Sequence, residues 1–297
     1  MSAKRWLFLT LTLLLAGVIC SILLAAVLDP YGIFRSARGR KLYAYDFERS
    51  AKFFLNRNYV PENYDALLIG PSSCSNWYLP VIAGHHFYNE SLPGGNAAEG
   101  DLLTHEALQR GHYKVAIVVL FPTMTASHVV NQKMDASSLE EAIGSFHLYY
   151  NAAAQLLVSK GMRFHKSHAG PNGESELPYT RSLTPIKFEN AYFAIDPMGA
   201  QQLQHIVKQL QDHGTRVVYL IPPASEPTLE LNAANFAQWK QRILPQLPSA
   251  PLLDMNEPSY LALRSNMDNY IDVFHMEPEG AARATQMMAE WLTKVLQ

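Results

Sequence analysis

The chain has 297 residues, a formal net charge of -2 at pH 7 and two cysteines. A nearly balanced charge and a pI of about 6.6 argue against a nucleic-acid-binding protein, which would carry a basic surface. The two cysteines, one in an apolar segment and one in a serine cluster, offer neither a zinc-type spacing nor a readable disulfide framework.

The first predicted element is an apolar segment near the N-terminus. Trp6 to Leu28 is a run of 23 residues without a charge, long enough to cross a hydrocarbon core of about 30 Å as a helix. A cleaved signal peptide has a shorter apolar run followed by a small-x-small site, whereas this run ends Ala-Val-Leu-Asp-Pro. The pattern therefore favours an uncleaved membrane anchor. Cys20 lacks the preceding small residues of a lipoprotein site, so we interpret it as an ordinary helix residue.

The anchor divides the chain into three predicted parts. Residues 1–28 form the tail and transmembrane anchor, residues 29–60 a juxtamembrane segment, and residues 61–297 an α/β domain. About 265 residues follow the anchor, which is enough for one domain with a sizeable core.

Strand and helix patterns alternate through that domain. Apolar runs predict strands at Tyr64–Ile69, Phe87–Glu90, Lys114–Leu120, Arg216–Ile221 and Leu252–Met255, the last at an edge. Helices are predicted at Ala98–Arg110, Ser137–Lys160, Met198–His213 and Glu279–Leu296. This alternation predicts a parallel sheet with helices on both faces. Residues 164–189 interrupt the alternation, and we interpret them as a long loop near the site that could act as a lid.

A cluster of serines closes the first predicted strand. Pro71, Ser72 and Ser73 follow the run YDALLIG, and about 200 residues later Asp272 and His275 form a D-x-x-H pair before the last helix. Residues at the carboxyl ends of parallel strands converge on one crevice. A serine nucleophile needs an imidazole to take its proton and a carboxylate to orient that imidazole, so the sequence predicts a serine hydrolase. Taken singly, the serines could cap a helix, and Asp272 and His275 could be loop or surface residues.

These motifs resemble those of the SGNH/GDSL hydrolase superfamily, and more closely its membrane-anchored bacterial branch, which includes proteins of alginate O-acetylation and teichoic-acid D-alanylation. In that superfamily a strand precedes Gly-x-Ser, with the serine as nucleophile. Gly70-Pro71-Ser72 matches this block and selects Ser72 over the serines beside it. The last block is D-x-x-H ahead of a C-terminal helix, which Asp272 and His275 match.

The resemblance also implies an oxyanion hole. A glycine after the second strand contributes its amide, and in the run FYNESLPGGN this is Gly94, with Gly95 as second choice. The superfamily's third block, Gly-x-Asn, is absent, because Phe-Pro-Thr follows the strand KVAIVVL. Asn96 or the Thr123 hydroxyl could replace the missing asparagine. We expect Ser72, Gly94 and Asn96 to form the hole, with Thr123 as the alternative to Asn96.

The fold implied by the resemblance is a flavodoxin-like three-layer sandwich with a central parallel sheet. The implied activity is ester hydrolysis or O-acyl transfer through a covalent acyl-Ser72, with no cofactor. The implied acceptor is a cell-surface polysaccharide or envelope polymer, and the implied partner is a membrane-bound O-acyltransferase that delivers acyl groups across the bilayer. The alternative is a catalytically inactive glycan-binding or scaffold subunit of an export or acylation complex, which the missing asparagine favours.

The charges on the two sides of the anchor predict opposite orientations for it. Lys4 and Arg5 favour a cytoplasmic N-terminus. Four basic residues lie soon after the anchor, in the stretch whose charges influence orientation, and they favour a cytoplasmic domain instead: Arg35, Arg38, Arg40 and Lys41. A short tail followed by a signal anchor can translocate a long domain largely regardless of charge. With the resemblance, this predicts a single-pass bacterial inner-membrane protein whose domain faces the periplasm or cell exterior. The basic cluster would then lie along phospholipid head groups or in a solvated loop.

Two close pairs of histidines are the remaining candidates for metal ligands. They are His85, His86, His165 and His168. Because no carboxylates stand at ligand spacing from them, we interpret all four as ordinary loop residues and expect no metal site.

Overall fold

The computed structural model describes residues 2–45, 48–79, 81–130, 145–162, 169–177 and 179–297. Its strands are β1 Ala66–Ile69, β2 Val81–Ile82, β3 His85–Asn89, β4 Val115–Val119, β5 Arg216–Ile221 and β6 Leu252–Asp254. They form one sheet in the order β2-β3-β1-β4-β5-β6, in which the β2–β3 pair is antiparallel and the other pairs are parallel. The five parallel strands have the order of flavodoxin-like folds. The predicted fold class is therefore confirmed.

Helices lie on both faces of this sheet. They are α1 Ala3–Leu28, α2 Glu48–Leu55, α3 Tyr59–Asn63, α4 Ala97–Leu108, α5 Pro122–Thr125, α6 Phe146–Ser159, α7 Pro197–Asp212, α8 Glu226–Ile243, α9 Leu261–Ser265 and α10 Pro278–Leu296. Helices α4, α7 and α8 contribute buried residues to the core on one face, and α10 contributes them to the core on the other.

The central strands are apolar along their whole length because both of their faces are covered. In β4, Ala116 and Val118 join the core under α4 and α7, whereas Val115, Ile117 and Val119 join the core under α10. This two-sided burial is the physical reason that the strands were readable from the sequence. All five predicted strands are confirmed, with ends that differ by no more than two residues.

Three of the four predicted helices are likewise confirmed to within two residues: α4, α7 and α10. The fourth is confirmed in part. Helix α6 begins at Phe146, with the Ser145 hydroxyl accepting a hydrogen bond from the N–H of His147, so Ser145 is the N-cap. The predicted capping box of Ser137 and Glu140 lies outside the described residues.

Helix α8 is an element that the sequence analysis missed. It runs for 18 residues, and its buried side carries Thr228 and Asn232 before Phe236, Trp239 and Ile243. The two polar residues interrupt the apolar period by which a helix is recognised. Both are buried because they form hydrogen bonds with the loop that follows residue 179: Ile186 donates to the Thr228 hydroxyl, and the Asn232 amide donates to the carbonyl of Ile186.

The juxtamembrane residues pack into the domain. Tyr31, Leu42, Phe53 and Tyr59 are buried in the same core as α4 and α7. This core therefore continues across residue 61, where the sequence analysis divided the juxtamembrane segment from the domain. The division itself stays a prediction.

Helix α2 attaches this segment to the loop that follows β3. Lys52 is completely buried, and its ammonium contacts Glu48 at 2.8 Å and the Ser91 carbonyl at 2.7 Å. Arg49 pairs with Glu99 at 2.7 Å and donates to the Pro93 carbonyl. Buried charges are stable when they are paired and hydrogen-bonded in this way, so α2 holds the loop at residues 91–95 in place.

Helix α1 is 26 residues long, apolar and almost entirely exposed. Its length and composition suffice to cross a membrane, and a signal sequence has the same properties. The last turn is fixed to the domain, because Ala25 is buried in the core and the Asp29 carboxylate pairs with Arg40 at 2.9 Å.

Candidate active site

Ser72, His275 and Asp272 meet at the carboxyl end of β1. The Nε2 atom of His275 lies 2.8 Å from Ser72 Oγ, and Nδ1 lies 2.7 Å from Asp272 Oδ2. Both distances fall within the roughly 2.6–3.2 Å of a hydrogen bond, and the first is the reach that a general base needs. The three side chains thus form a continuous hydrogen-bonded chain from hydroxyl to imidazole to carboxylate.

A close approach between two strands places Ser72 at this point. Gly70 follows β1 and lies against Val119 of β4, where an added Cβ would come within 2.6 Å of the Val119 side chain and 3.2 Å of Ser91 Oγ. Glycine is therefore required directly after the strand. Pro71 continues in an extended conformation, and Ser72 opens a short 3₁₀ turn that points its hydroxyl towards His275.

Asn89, at the end of β3, fixes the turn that begins at Ser72. Its completely buried amide donates to the carbonyls of Cys74 and Trp77, at 2.8 and 3.0 Å, and more weakly to that of Ser75, at 3.3 Å. The sequence analysis did not identify this residue. An amide at the carboxyl end of a buried parallel strand is the signal that could have found it, since such positions face the crevice.

The D-x-x-H segment forms a tight loop around one carboxylate. Asp272 Oδ1 accepts the N–H groups of Phe274 and His275, both at 2.9 Å, while Oδ2 faces the imidazole. Burial alone would raise the pKa of Asp272, but the hydrogen bonds from the His275 ring and from the two N–H groups outweigh it and leave that pKa below its usual value. Asp272 is therefore ionised at neutral pH.

The neighbouring serines occupy different positions. The Ser75 hydroxyl donates to the Ser72 carbonyl at 3.0 Å, and the Ser73 side chain is buried. Of the three serines in this turn, the imidazole of His275 is hydrogen-bonded to Ser72. The geometry therefore favours the same serine that the Gly-x-Ser match selected.

The glycine loop runs beside the turn of Ser72. Pro71 and Leu92 form a parallel bridge, which extends the β1–β3 pairing to the residue before Ser72. Gly94 has a φ of +63°, a conformation that favours glycine. The N–H of Gly95 already donates to the Leu92 carbonyl at 2.9 Å. The N–H of Gly94 is thus the freer of the two amides, but Gly94 does not line the cavity that contains Ser72, and its oxyanion role stays a prediction.

Asn96, the second predicted donor, caps helix α4. Its side-chain oxygen accepts the N–H of Glu99 at 3.1 Å, and its NH₂ group donates to the Val129 carbonyl at 3.1 Å. Both ends of the amide are thus engaged, and Asn96 does not line the cavity that contains Ser72. An oxyanion role for Asn96 stays a prediction.

Thr123, the alternative donor, does line that cavity. It lies in α5, directly after β4, on the wall shared by Ser72 and His275. Its hydroxyl is buried and has no hydrogen-bond partner among the residues that the structure describes. A buried polar group without a partner is costly and calls for an explanation. The side chain of Thr123 lines the cavity while its hydroxyl oxygen is itself covered, so an oxyanion role for Thr123 stays a prediction.

The cavity beside the triad has a volume of about 580 Å³. Its polar side carries the triad and Thr123, and its other side is largely aromatic: Phe121, Phe188, Tyr192 and Phe274. Three of these rings pack on one another, with centroid distances of 4.3 Å for Phe188–Tyr192 and 5.1 Å for Phe188–Phe274. An apolar wall of this kind accommodates an acyl chain or the face of a sugar ring.

The described part of the loop predicted at residues 164–189 contributes to this cavity, as expected. Tyr179 lies with its ring 4.7 Å from the His275 ring, and Thr180, Ser182, Ile186 and Phe188 follow along the same wall. The loop therefore lies over the triad. Its movement as a lid stays a prediction.

Metal ligands do not cluster in the part of the chain that the structure describes: no three His, Cys, Asp or Glu side chains there could hold one ion. His85 pairs with Asp65, with 2.9 Å between Nδ1 and Oδ2. His165 and His168 lie outside the described residues.

The sequence matches no family model and no curated protein. Solved structures that match the chain include a proposed platelet activating factor from Streptococcus pneumonia, with a TM-score of 0.41 and 11% identity over 82% of this chain and 91% of that one. They also include an acetyl xylan esterase from the rumen bacterium Butyrivibrio proteoclasticus, with a TM-score of 0.32 and 10% identity over 78% of this chain and 64% of that one. Similarities this remote assign no function.

Proposed function

We propose that this protein is a serine esterase or O-acyltransferase that acts through an acyl-Ser72 intermediate. The observation that carries the proposal is the hydrogen-bonded chain from Ser72 through His275 to Asp272. Such a chain activates the hydroxyl, because the imidazole can take its proton while the carboxylate holds the tautomer and stabilises the imidazolium that forms.

The reaction would proceed in two halves. Ser72 Oγ attacks the acyl carbonyl carbon while its proton passes to Nε2 of His275. The tetrahedral intermediate then collapses, the ester C–O bond breaks, and His275 returns the proton to the leaving alcohol oxygen. In the second half, water or an acceptor hydroxyl gives its proton to His275 as it attacks the acyl carbon. The C–O bond to Ser72 breaks, and the proton returns to Ser72 Oγ.

Charge on the carbonyl oxygen needs donors in both halves of this reaction. We assign this role to the amide of Gly94, in the loop that follows the Pro71–Leu92 bridge, and to the hydroxyl of Thr123, which lines the same cavity with its side chain and would have to turn its covered hydroxyl towards the substrate. Thr123 would then take the place of the asparagine that the SGNH pattern expects. If Thr123 supplies that donor, the missing asparagine does not favour the inactive-scaffold alternative.

The substrate class follows from the resemblance and is compatible with the cavity. We propose a cell-surface polysaccharide or envelope polymer as the acyl acceptor, and a membrane-bound O-acyltransferase as the partner that supplies the acyl group. The aromatic wall beside Ser72 suits either an acyl chain or a sugar face. We further propose that α1 anchors the protein in the bacterial inner membrane with the domain facing the periplasm or cell exterior.

Covalent labelling tests the proposed nucleophile. A fluorophosphonate probe should label the full chain in membranes, because an activated serine attacks phosphorus as it attacks an acyl carbon. Ser72→Ala should abolish the label, and Ser73→Ala, the matched control one residue away, should retain it. An unlabelled wild-type chain, or equal labelling of the wild type and Ser72→Ala, would refute the proposal.

Removal of the Thr123 hydroxyl tests the oxyanion assignment. Thr123→Val keeps the shape of the side chain, and we expect it to lower kcat for an acyl ester by about 10²- to 10³-fold, the typical effect of one oxyanion donor. KM should change little, since the developing charge exists in the transition state. Thr123→Ser restores the hydroxyl and should recover most of the activity. Wild-type kcat in Thr123→Val would exclude this role.

A further inference from the structure

The two amide side chains of helix α6, those of Asn151 and Gln155, face the domain rather than solvent. The helix, with the sequence FHLYYNAAAQLLVS, contains no Asp, Glu, Lys or Arg. Asn151 is buried and accepts the N–H of Tyr45 at 2.8 Å, and the Gln155 amide donates to the Pro30 carbonyl at 2.9 Å. These bonds tie α6 to the segment that follows α1.

The outward side of α6 is apolar. The exposed Phe146, Ala153 and Leu156 recur at spacings of seven and three residues, which places them on one side of the helix, and the half-buried Tyr149 lies at the edge of that side against α1. Phe146 is 73% exposed and Leu156 is 45% exposed. A helix on the surface of a soluble domain shows the opposite arrangement, with charged residues outward. An apolar outward side indicates an apolar environment.

The contact between α6 and helix α1 indicates how deep in a membrane α6 would lie. The Tyr149 hydroxyl donates to the carbonyl of Ser21 at 3.1 Å, and Ser21 lies seven residues before the end of α1 at Leu28. At 1.5 Å per residue this is about 10 Å along the helix axis. The apolar run of α1 is roughly 34 Å long, only slightly longer than a hydrocarbon core of about 30 Å. Tyr149 therefore lies at the depth of the membrane surface or below it.

We infer that α6 lies in the interfacial layer of the membrane that α1 crosses, with Phe146 and Leu156 against lipid. We identify lipid as the surroundings of this apolar surface because the surface continues onto the exposed side chains in the last turns of α1. There, Leu23, Leu24 and Val27 are 59%, 50% and 66% exposed. The inference rests on α1 as an anchor and is independent of the proposed chemistry.

Two further residues fit this placement. Lys160 is exposed directly after the helix, where its long side chain can carry the ammonium to the head groups. Tyrosine, as at Tyr149, is enriched at the boundary between hydrocarbon and water. Through α6, the domain would contact the membrane along a second helix beside its anchor.

A site-specific fluorophore tests the inference. The full chain would carry Cys20→Ser and Leu156→Cys, labelled with an environment-sensitive dye and reconstituted in phosphatidylethanolamine–phosphatidylglycerol vesicles. Cys74 is fully buried and burial raises the pKa of its thiol, so it should not react. We expect a blue-shifted emission that is lost when nitroxide-bearing lipids are included. A label at Phe146→Cys, a second exposed position, should behave in the same way.

Glu290→Cys provides the matched control, since Glu290 is exposed on α10, whose buried residues pack on the opposite face of the sheet. Its label should report water and resist the lipid nitroxides. If labels at residues 146 and 156 behave like the control, α6 faces solvent and the inference fails. If their emission is blue-shifted but insensitive to lipid nitroxides, a protein covers the helix, and the bilayer is the wrong occupant.

Discussion

Ser72→Ala and His275→Ala should each lower kcat for acyl-ester turnover by about 10⁴- to 10⁶-fold, the loss that follows removal of a nucleophile or its base. Each variant breaks the same 2.8 Å hydrogen bond, so each removes the activation of the serine. Residues that act as one unit have non-additive effects. The double variant should therefore be little slower than either single one, as measured with a chromogenic acyl ester in detergent.

Ser73→Ala is the control for these kinetics and should retain most of the activity, because His275 is bonded to the neighbouring hydroxyl. Ser72→Ala removes one hydrogen bond, the one to His275, and should cost about 1 kcal/mol of stability, which thermal unfolding would show. Losses that multiply in the double variant would mean that Ser72 and His275 act separately. Unchanged turnover in Ser72→Ala would remove the catalytic interpretation altogether.

Asp272→Asn should lower kcat by about 10⁴-fold, as the loss of the orienting carboxylate does in other triads. An asparagine oxygen can still accept the N–H groups of Phe274 and His275, so the loop is preserved. Its NH₂ group, however, would donate to Nδ1 of His275. The ring proton would then be on Nε2, facing Ser72, and the imidazole could no longer accept the serine proton.

The free energy of unfolding, measured against pH, distinguishes the loss of the Asp272 carboxylate from a general disturbance of the loop. Because the pKa of Asp272 is lower in the folded chain than its usual value near 3.8, its carboxylate stabilises the fold above that value. That contribution is lost as pH falls through the folded pKa. The wild type should therefore be more stable than Asp272→Asn at neutral pH, and this difference in the free energy of unfolding should disappear below about pH 4. Near-normal turnover in the variant would show that His275 does not depend on this carboxylate.

The features predictable from the sequence are those with local causes. The strands were found because both of their faces are buried, and D-x-x-H was found because its hydrogen bonds close within four residues. Helix α8 was missed because its buried Thr228 and Asn232 have partners more than forty residues away. The same limit applies to Asn89, whose role depends on carbonyls in another part of the chain.

The choice between Asn96 and Thr123 shows this limit within the site itself. From the sequence, either side chain could follow its strand or loop into the oxyanion position. What distinguishes them in the structure is the engagement of Asn96 with Glu99 and Val129 and the unpartnered, covered hydroxyl of Thr123, and the role of each stays a prediction. Both facts depend on contacts between segments that are distant in the sequence, and the local spacing of residues does not reveal such contacts.

The attachment of α1 and α2 to the domain determines how far Ser72 can reach. Ala25 and Asp29 are buried at the end of α1, while Lys52 and Arg49 hold the loop that carries Gly94. Such a connection differs from a flexible tether, which would let a catalytic domain sweep through a volume around its anchor. With α1 in a bilayer, the serine would stay at one height above the lipid. If the substrate is the envelope polymer proposed above, it would have to be modified where it passes the membrane, one segment at a time.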